Sequence, residues 1–131
     1  MVRRESWLPA APEGVPRARA IVRELAAELR LDRATTWELM LATTEAFANA
    51  VEHGKACGRR GVLLRAEAGD GRVGVEVRDC GGRFPAARAF AKSHGEGGRG
   101  IAIIQAITDQ LEVVPDTGST RVRFEKRLAA G

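Results

Sequence analysis

Glu45, Asn49 and His53 recur at four-residue intervals in the segment from Trp37 to His53, so a helix through it would align them in one stripe. An asparagine amide oxygen is the kind of hard ligand Mg²⁺ accepts beside waters and phosphate oxygens. Glu45, one turn earlier, is a carboxylate suited to taking a proton from a hydroxyl or water that attacks a phosphate. The plainer alternative is a solvated helix face, the usual setting for Glu, Asn and His. Two features weigh against it. Ala42, Ala46, Ala48 and Ala50 surround the polar stripe, as expected where something approaches a helix closely, and Asn49 is a poor helix former with no local cap to justify it.

Two glycine-rich segments add further candidates. Val75-Glu76-Val77-Arg78-Asp79-Cys80-Gly81-Gly82 ends a strand on a carboxylate followed by glycines. Asp79 can accept a hydrogen bond from the amino group of a base such as adenine, and glycines lacking Cβ let backbone pack against a flat ring. An ordinary Asp-x-Gly-Gly turn explains the same residues. Gly95-Glu96-Gly97-Gly98-Arg99-Gly100-Ile101 places glycines just before an apolar helix, where free N–H groups form an anion site and Arg99 adds charge. The alternative there is a flexible loop with a helix start. Residues 95–100 match GxGxxG formally, but no strand directly precedes them, which disfavours a dinucleotide fold, and no GxxxxGK[ST] occurs.

The elements that must position these groups are legible from periodicity. Apolar residues at 18, 21, 22, 25, 26 and 29 predict an amphipathic helix from Arg17 to Leu29, after an irregular lead-in punctuated by Pro9, Pro12, Gly14 and Pro16. A second helix is expected from Ala34 to about Glu52, closed by Gly54 in the usual terminating position. Gly61–Ala68 and Arg72–Arg78 read as strands joined through Gly69-Asp70-Gly71, which is hairpin chemistry. Residues 79–98 read as a long loop with a turn of helix near 86–91, and loops of that length are usually functional. A short helix from Gly100 to about Asp109 and strands at Gln110–Val114 and Ser119–Lys126 complete the chain. The order of elements is not an alternating βαβ pattern. It predicts a two-layer α/β sandwich with a mixed, mostly antiparallel sheet and helices on one face.

The chain has 131 residues, 44% hydrophobic and 29% charged, which fits one globular domain spanning 1–131 with no need of disulfides or a structural metal. No apolar run approaches the roughly 20 residues of a membrane span, and the first residues do not resemble a secretory signal, so a cytoplasmic location is expected. Cys57 and Cys80 lack CxxC spacing and read as free, reduced thiols rather than zinc ligands. The net charge of +4 and pI of about 9.8 admit nucleic acid, acidic proteins or nucleotide phosphates as partners. The arginines are scattered, without the clustered aromatics of single-strand binders, which disfavours direct nucleic-acid binding.

Taken in order and spacing, these segments resemble the GHKL ATPase superfamily, specifically its small bacterial anti-sigma-factor serine/threonine kinases. Glu45-x-x-x-Asn49-x-x-x-His53-Gly54 resembles the N-box, Asp79-x-Gly81 the G1 box, and Gly98-Arg99-Gly100-Ile101-x-Ile103-Ile104 the G2 box. Pro9-Ala10-x-Pro12 and Thr120 also fall where the family has similar residues, so the likeness spans essentially the whole chain. It implies the Bergerat-type ATP-binding fold, with ATP and Mg²⁺ as ligands. Glu45 would be the general base, Asn49 the magnesium ligand and Asp79 the adenine contact supported by Gly81. Gly98, Arg99, Gly100 and Ile101 would meet the phosphates, Thr120 would assist at the adenine end, and residues 83–97 would form a lid. His53 is read as a structural end to the helix. Two positions depart from the pattern: Arg83 stands where many relatives have a second G1 glycine, and Ser119 where a glycine is frequent.

The resemblance implies a serine/threonine kinase that phosphorylates an anti-sigma-factor antagonist and also sequesters a sigma factor. A non-catalytic ATP-binding regulator that works by holding a partner protein is the alternative. Retention of both Glu45 and Asn49 favours catalysis, because binding alone requires no base. A histidine-kinase catalytic domain shares the expected fold, but the chain leaves no room for a dimerisation helix bearing a phosphoacceptor histidine. The oligomeric state stays open, a homodimer included.

Overall fold

The computed structural model describes residues 1–81 and 99–129, without the side chains of Arg99 and Asp116. The expected helix turn near 86–91, the lid at 83–97 and Gly98 lie outside the described residues.

Five strands form one sheet in the order β1-β2-β3-β5-β4. They are β1 (Val2–Leu8), β2 (Val62–Gly69), β3 (Arg72–Asp79), β4 (Gln110–Asp116) and β5 (Ser119–Arg127). Each of the four pairings is antiparallel, where the sequence left room for a mixed sheet. Among the described residues the helices are α1 (Gly14–Glu28), α2 (Arg33–His53) and α3 (Arg99–Ile107), and a 3-10 turn runs through Gly58–Arg60. The result is the two-layer α/β sandwich expected from the order of elements.

Period-two patterning builds the contact between the layers. Leu64 and Ala66 of β2, Val73, Val75 and Val77 of β3, and Val122 and Phe124 of β5 are buried against Val22 and Leu25 of α1, Phe47 of α2 and Ile104 of α3. Phe47 is fully buried, so truncating it to alanine would remove about 3–5 kcal/mol. The sheet's other face is charged. Glu5, Arg65, Glu76, Arg123 and Glu112 stand opposite one another across all five strands, an alternation that favours this register. At its centre Glu76 is 4% exposed, with Arg65, Arg78 and Arg121 nitrogens 3.6–4.0 Å away.

Local chemistry sets the ends of the site-bearing helix. The Asp32 carboxylate accepts from the Thr35 amide at 2.7 Å, satisfying one of the orphan donors at the start of α2. At the other end Gly54 donates to the Ala50 carbonyl, but its φ is −90° and ψ −162°. Gly54 therefore closes the helix where expected without adopting the left-handed conformation that makes glycine the common terminator. In the β2–β3 hairpin, Asp70 and Gly71 take φ of 53° and 72°, as a two-residue turn of primed type requires.

Two expectations need correction. Helix α1 begins at Gly14, earlier than Arg17, because Pro16 falls in the first turn, where a backbone N–H has no helical partner to lose. The lead-in is not wholly irregular either. Val2–Leu8 is an edge strand in register with β2, and its inner side includes Arg4, which donates to Glu28 of α1 at 2.6 Å.

Candidate functional site

Helix α2 carries the proposed stripe across the helical layer. Glu45 and Asn49 are both half-buried and one turn apart. From Glu45 to Gly54 the helix advances roughly 13 Å, and each end meets a different glycine-bearing segment.

At the first end, α3 starts against Glu45. A Cβ on Gly100 would lie 3.3 Å from Glu45 Oε2 and 3.8 Å from Glu45 Cβ, so a side chain there would crowd the carboxylate. Arg99, Gly100 and Ile101 form the first turn of α3, whose N–H groups have no partner within the helix and carry the positive end of its dipole. Ile101 is 3% exposed and anchors that turn in the core. An anion-attracting helix start and a carboxylate are thus neighbours.

At the other end, Asp79 closes β3 and is 5% exposed. Its Oδ1 accepts from the Gly81 amide at 2.6 Å and from the Lys55 amide at 3.2 Å. These donors fix the carboxylate in orientation and offset the cost of burying it. Thr120 of β5 stands directly opposite Asp79 in the ladder and is half-buried. Gly54 presses against the same carboxylate: a Cβ there would lie 2.5 Å from Asp79 Cγ. The fold thus brings Asp79, Gly81 and Thr120 to the C-terminal end of α2, and Gly100 and Ile101 against Glu45 about two turns earlier in the helix, with Asn49 between. Gly98 lies outside the described residues, as does the Arg99 side chain.

Two sequence readings change at the site, and one contributor to it had no reading. Ala42, Ala46 and Ala50 are buried in the core, so packing between helices and sheet explains them and they indicate no approaching ligand. The Lys55 amide contributes to holding Asp79, a backbone role that no side-chain pattern signals. The cysteines are not free thiols: Cys57 and Cys80 form a disulfide with Cα atoms 5.0 Å apart. It ties the segment after α2 to the residue after Asp79, and the Cys80 amide donates to the Lys55 carbonyl at 2.8 Å beside it. His53, in the last turn of α2, lies 3.6 Å from a Glu52 carboxylate oxygen.

Among the described residues no helix is long and apolar enough to cross a membrane.

Comparison with known proteins agrees with this architecture. The RsbU and RsbW domains of a Mycobacterium tuberculosis protein align with 26% identity and a TM-score of 0.77, over 100% of this chain and 34% of that one. This chain therefore spans about a third of that protein's solved length. The histidine kinase domain of a blue-light activated histidine kinase from Erythrobacter litoralis aligns at 19% identity and a TM-score of 0.58, over 88% of this chain and 64% of that one. A chain of the SiaB-SiaC complex from Pseudomonas aeruginosa aligns at 8% identity and a TM-score of 0.61, over 95% of this chain and 88% of that one. The latter two show likeness of fold alone. The histidine kinase-like ATPase domain matches residues 8–126, and with that match over most of its length the chain belongs to this family, within the GHKL ATPases.

Proposed function

We propose that this chain is a cytoplasmic anti-sigma regulator that transfers the γ-phosphoryl group of ATP to a serine or threonine of a small antagonist protein, and that it also holds a sigma factor. The observation that carries the reading is the neighbourhood of Glu45 and the start of α3, with Asn49 one turn along the same helix. The 26% identity to an RsbW-containing protein over the full chain supports the anti-sigma part.

The residues suit Mg-ATP. The half-buried Asn49 offers a neutral oxygen donor of the type Mg²⁺ takes alongside phosphates, and the glycine at position 100 lets the start of α3 lie close against the Glu45 carboxylate. When bound, ATP supplies the phosphoryl group and Mg²⁺ neutralises its negative charge. Asp79, oriented by two amides, would accept from the adenine amino group, with Gly81 and Thr120 beside it. The amides of Arg99, Gly100 and Ile101, with the preceding Gly98, would face the phosphates at the positive end of α3. Glu45 would accept the proton of the attacking hydroxyl. Phosphoryl transfer asks little else of the protein than positioning and charge stabilisation.

The test is incubation with labelled ATP, Mg²⁺ and candidate antagonists from the same genome. Label should move to a serine or threonine. Glu45→Gln should keep ATP affinity and lose transfer by about 10²–10⁴-fold, whereas Asn49→Ala should lose Mg-dependent binding itself. Full transfer by Glu45→Gln would sink the catalytic assignment. ATP binding by the unaltered protein without transfer to any antagonist would instead favour a regulator that acts by holding its partner.

A further inference from the structure

The Cys57–Cys80 bridge has no part in the phosphoryl chemistry, yet it sits at the nucleotide end of the site. Cys80 follows Asp79 directly, and Cys57 lies three residues beyond Gly54. The segment between Gly54 and Cys57 holds Asp79 in two further ways: Gly54 packs against the carboxylate, and the Lys55 amide donates to Oδ1. That bond is 3.2 Å long and only partly buried, so it is readily lost without support. The covalent link, together with the 2.8 Å bond from the Cys80 amide to the Lys55 carbonyl, keeps this donor in place.

We infer that the Cys57–Cys80 disulfide is a reversible redox clamp on the adenine end of the site, so that nucleotide affinity follows the thiol–disulfide state of the surroundings. The inference rests on the nucleotide-site reading given above. In a reducing compartment a lasting disulfide is unusual, and those that form are typically catalytic or redox-sensing. Cys80 is the more exposed partner, Cys57 being 7% exposed, so an incoming thiolate reaches the Cys80 sulfur more readily. A reducing dithiol completes the exchange. Its first thiolate bonds to the Cys80 sulfur and the Cys57 thiolate leaves. Its second thiolate then attacks the mixed disulfide and frees Cys80. Two electrons pass to the protein, two protons from the reductant's thiols end on Cys57 and Cys80, and the reductant becomes a disulfide. Among the described residues, the segment from Lys55 to Cys57 is then tied to the end of β3 by the Cys80–Lys55 backbone bond and the long Lys55–Asp79 bond, so the Lys55 donor is no longer fixed beside Asp79.

The experiment compares the oxidised protein, the same protein reduced with dithiothreitol, and the Cys57→Ser/Cys80→Ser variant, at a temperature where circular dichroism shows all three folded. Mg-ATP affinity and amide hydrogen exchange are measured in each. Reduction should weaken ATP binding about tenfold and speed exchange at Lys55, Cys80 and Gly81, while the amides of Val73 and Val75 change little. Reoxidation should restore both, and the double variant should behave as the reduced protein whatever the reductant. Equal ATP affinity in the oxidised and reduced states, or equal exchange at those three amides, overturns the inference and leaves a purely structural staple. Absence of ATP binding in every sample overturns the nucleotide reading together with it, an outcome distinct from binding that ignores redox state.

Discussion

Gly54 faces the carboxylate of Asp79 so closely that a Cβ at position 54 would lie 2.5 Å from Asp79 Cγ and 2.6 Å from Oδ2. Only hydrogen fits at the end of α2, so the glycine sets where the buried carboxylate stands. Gly54→Ala should raise the dissociation constant for ATP about tenfold or more, roughly 1.4 kcal/mol. Because the new methyl also lies 2.5 Å from the Ala50 carbonyl oxygen, the melting temperature without nucleotide should fall as well. Titration calorimetry and thermal melts separate the two effects. Unchanged affinity would remove Asp79 from the adenine end.

Asp79 holds the end of β3 and, on the proposed reading, also binds the base, two tasks that a single substitution can part. In Asp79→Asn the side-chain oxygen can still accept from Lys55 and Gly81, as Oδ1 does now, so the end of β3 should keep its shape. The other terminal group becomes an NH₂ that only donates, and it cannot receive the adenine amino group. ATP affinity should fall about 10–100-fold, the cost of a charge-assisted hydrogen bond and its replacement by two opposed donors. Melting temperature should change less than in Gly54→Ala. Equal ATP affinity in this variant would mean that another group reads the base.

The relative placement of the candidate residues was legible in sequence because helical spacing is strict: Glu45, Asn49 and Gly54 could only share a face of α2 or its end. The sheet was legible where alternation is clean, as in Val73, Val75 and Val77. Strand β1 was not, since its inner face includes Arg4 and Ser6 while Trp7 points outward under the Arg60 guanidinium, 4.7 Å from the ring centroid. Its strand character comes from pairing with β2 and from the Arg4–Glu28 bridge, both long-range. The disulfide was hidden for a related reason. The cysteines are 23 residues apart and have no motif spacing, yet one follows Gly54 and the other Asp79. Had the two box motifs been placed side by side first, their flanking cysteines would have been neighbours too.

Asp32 gives a pH-dependent handle on the helix that carries Glu45 and Asn49. Hydrogen bonding from Thr35, through its side chain and its backbone amide, holds the Asp32 carboxyl below its ordinary value of 3.8. A carboxyl lowered in the folded state stabilises the fold fully above its unfolded value, and that contribution disappears as pH falls through the folded value. Asp32→Ala should therefore melt below the unaltered protein at about pH 6, with the gap narrowing steadily below about pH 4. A gap that stays constant across that acid range would show that the cap does not depend on the charge.

Glu76 is the charge whose loss should be felt most in stability. It is buried at the centre of the open face, and Arg65, Arg78 and Arg121 converge on it. Arg78 and Arg121 are also direct cross-strand neighbours, a like-charge pairing that the shared carboxylate offsets. Removing one member of a fully buried ion cluster costs about 3–5 kcal/mol. Here the arginines are about one-third exposed, and solvent screens part of the repulsion. Glu76→Ala should thus lower unfolding free energy by about 2 kcal/mol, measured by urea denaturation. Combining Glu76→Leu with Arg121→Leu removes one charge of each sign and should recover at least half of that loss, because apolar side chains of similar size can replace a buried ion pair at little cost. A double variant no more stable than Glu76→Ala would mean that the loss does not come from leaving the arginines without their anion. ATP affinity should not change in either variant, since the cluster and the candidate site lie on opposite faces of the sheet.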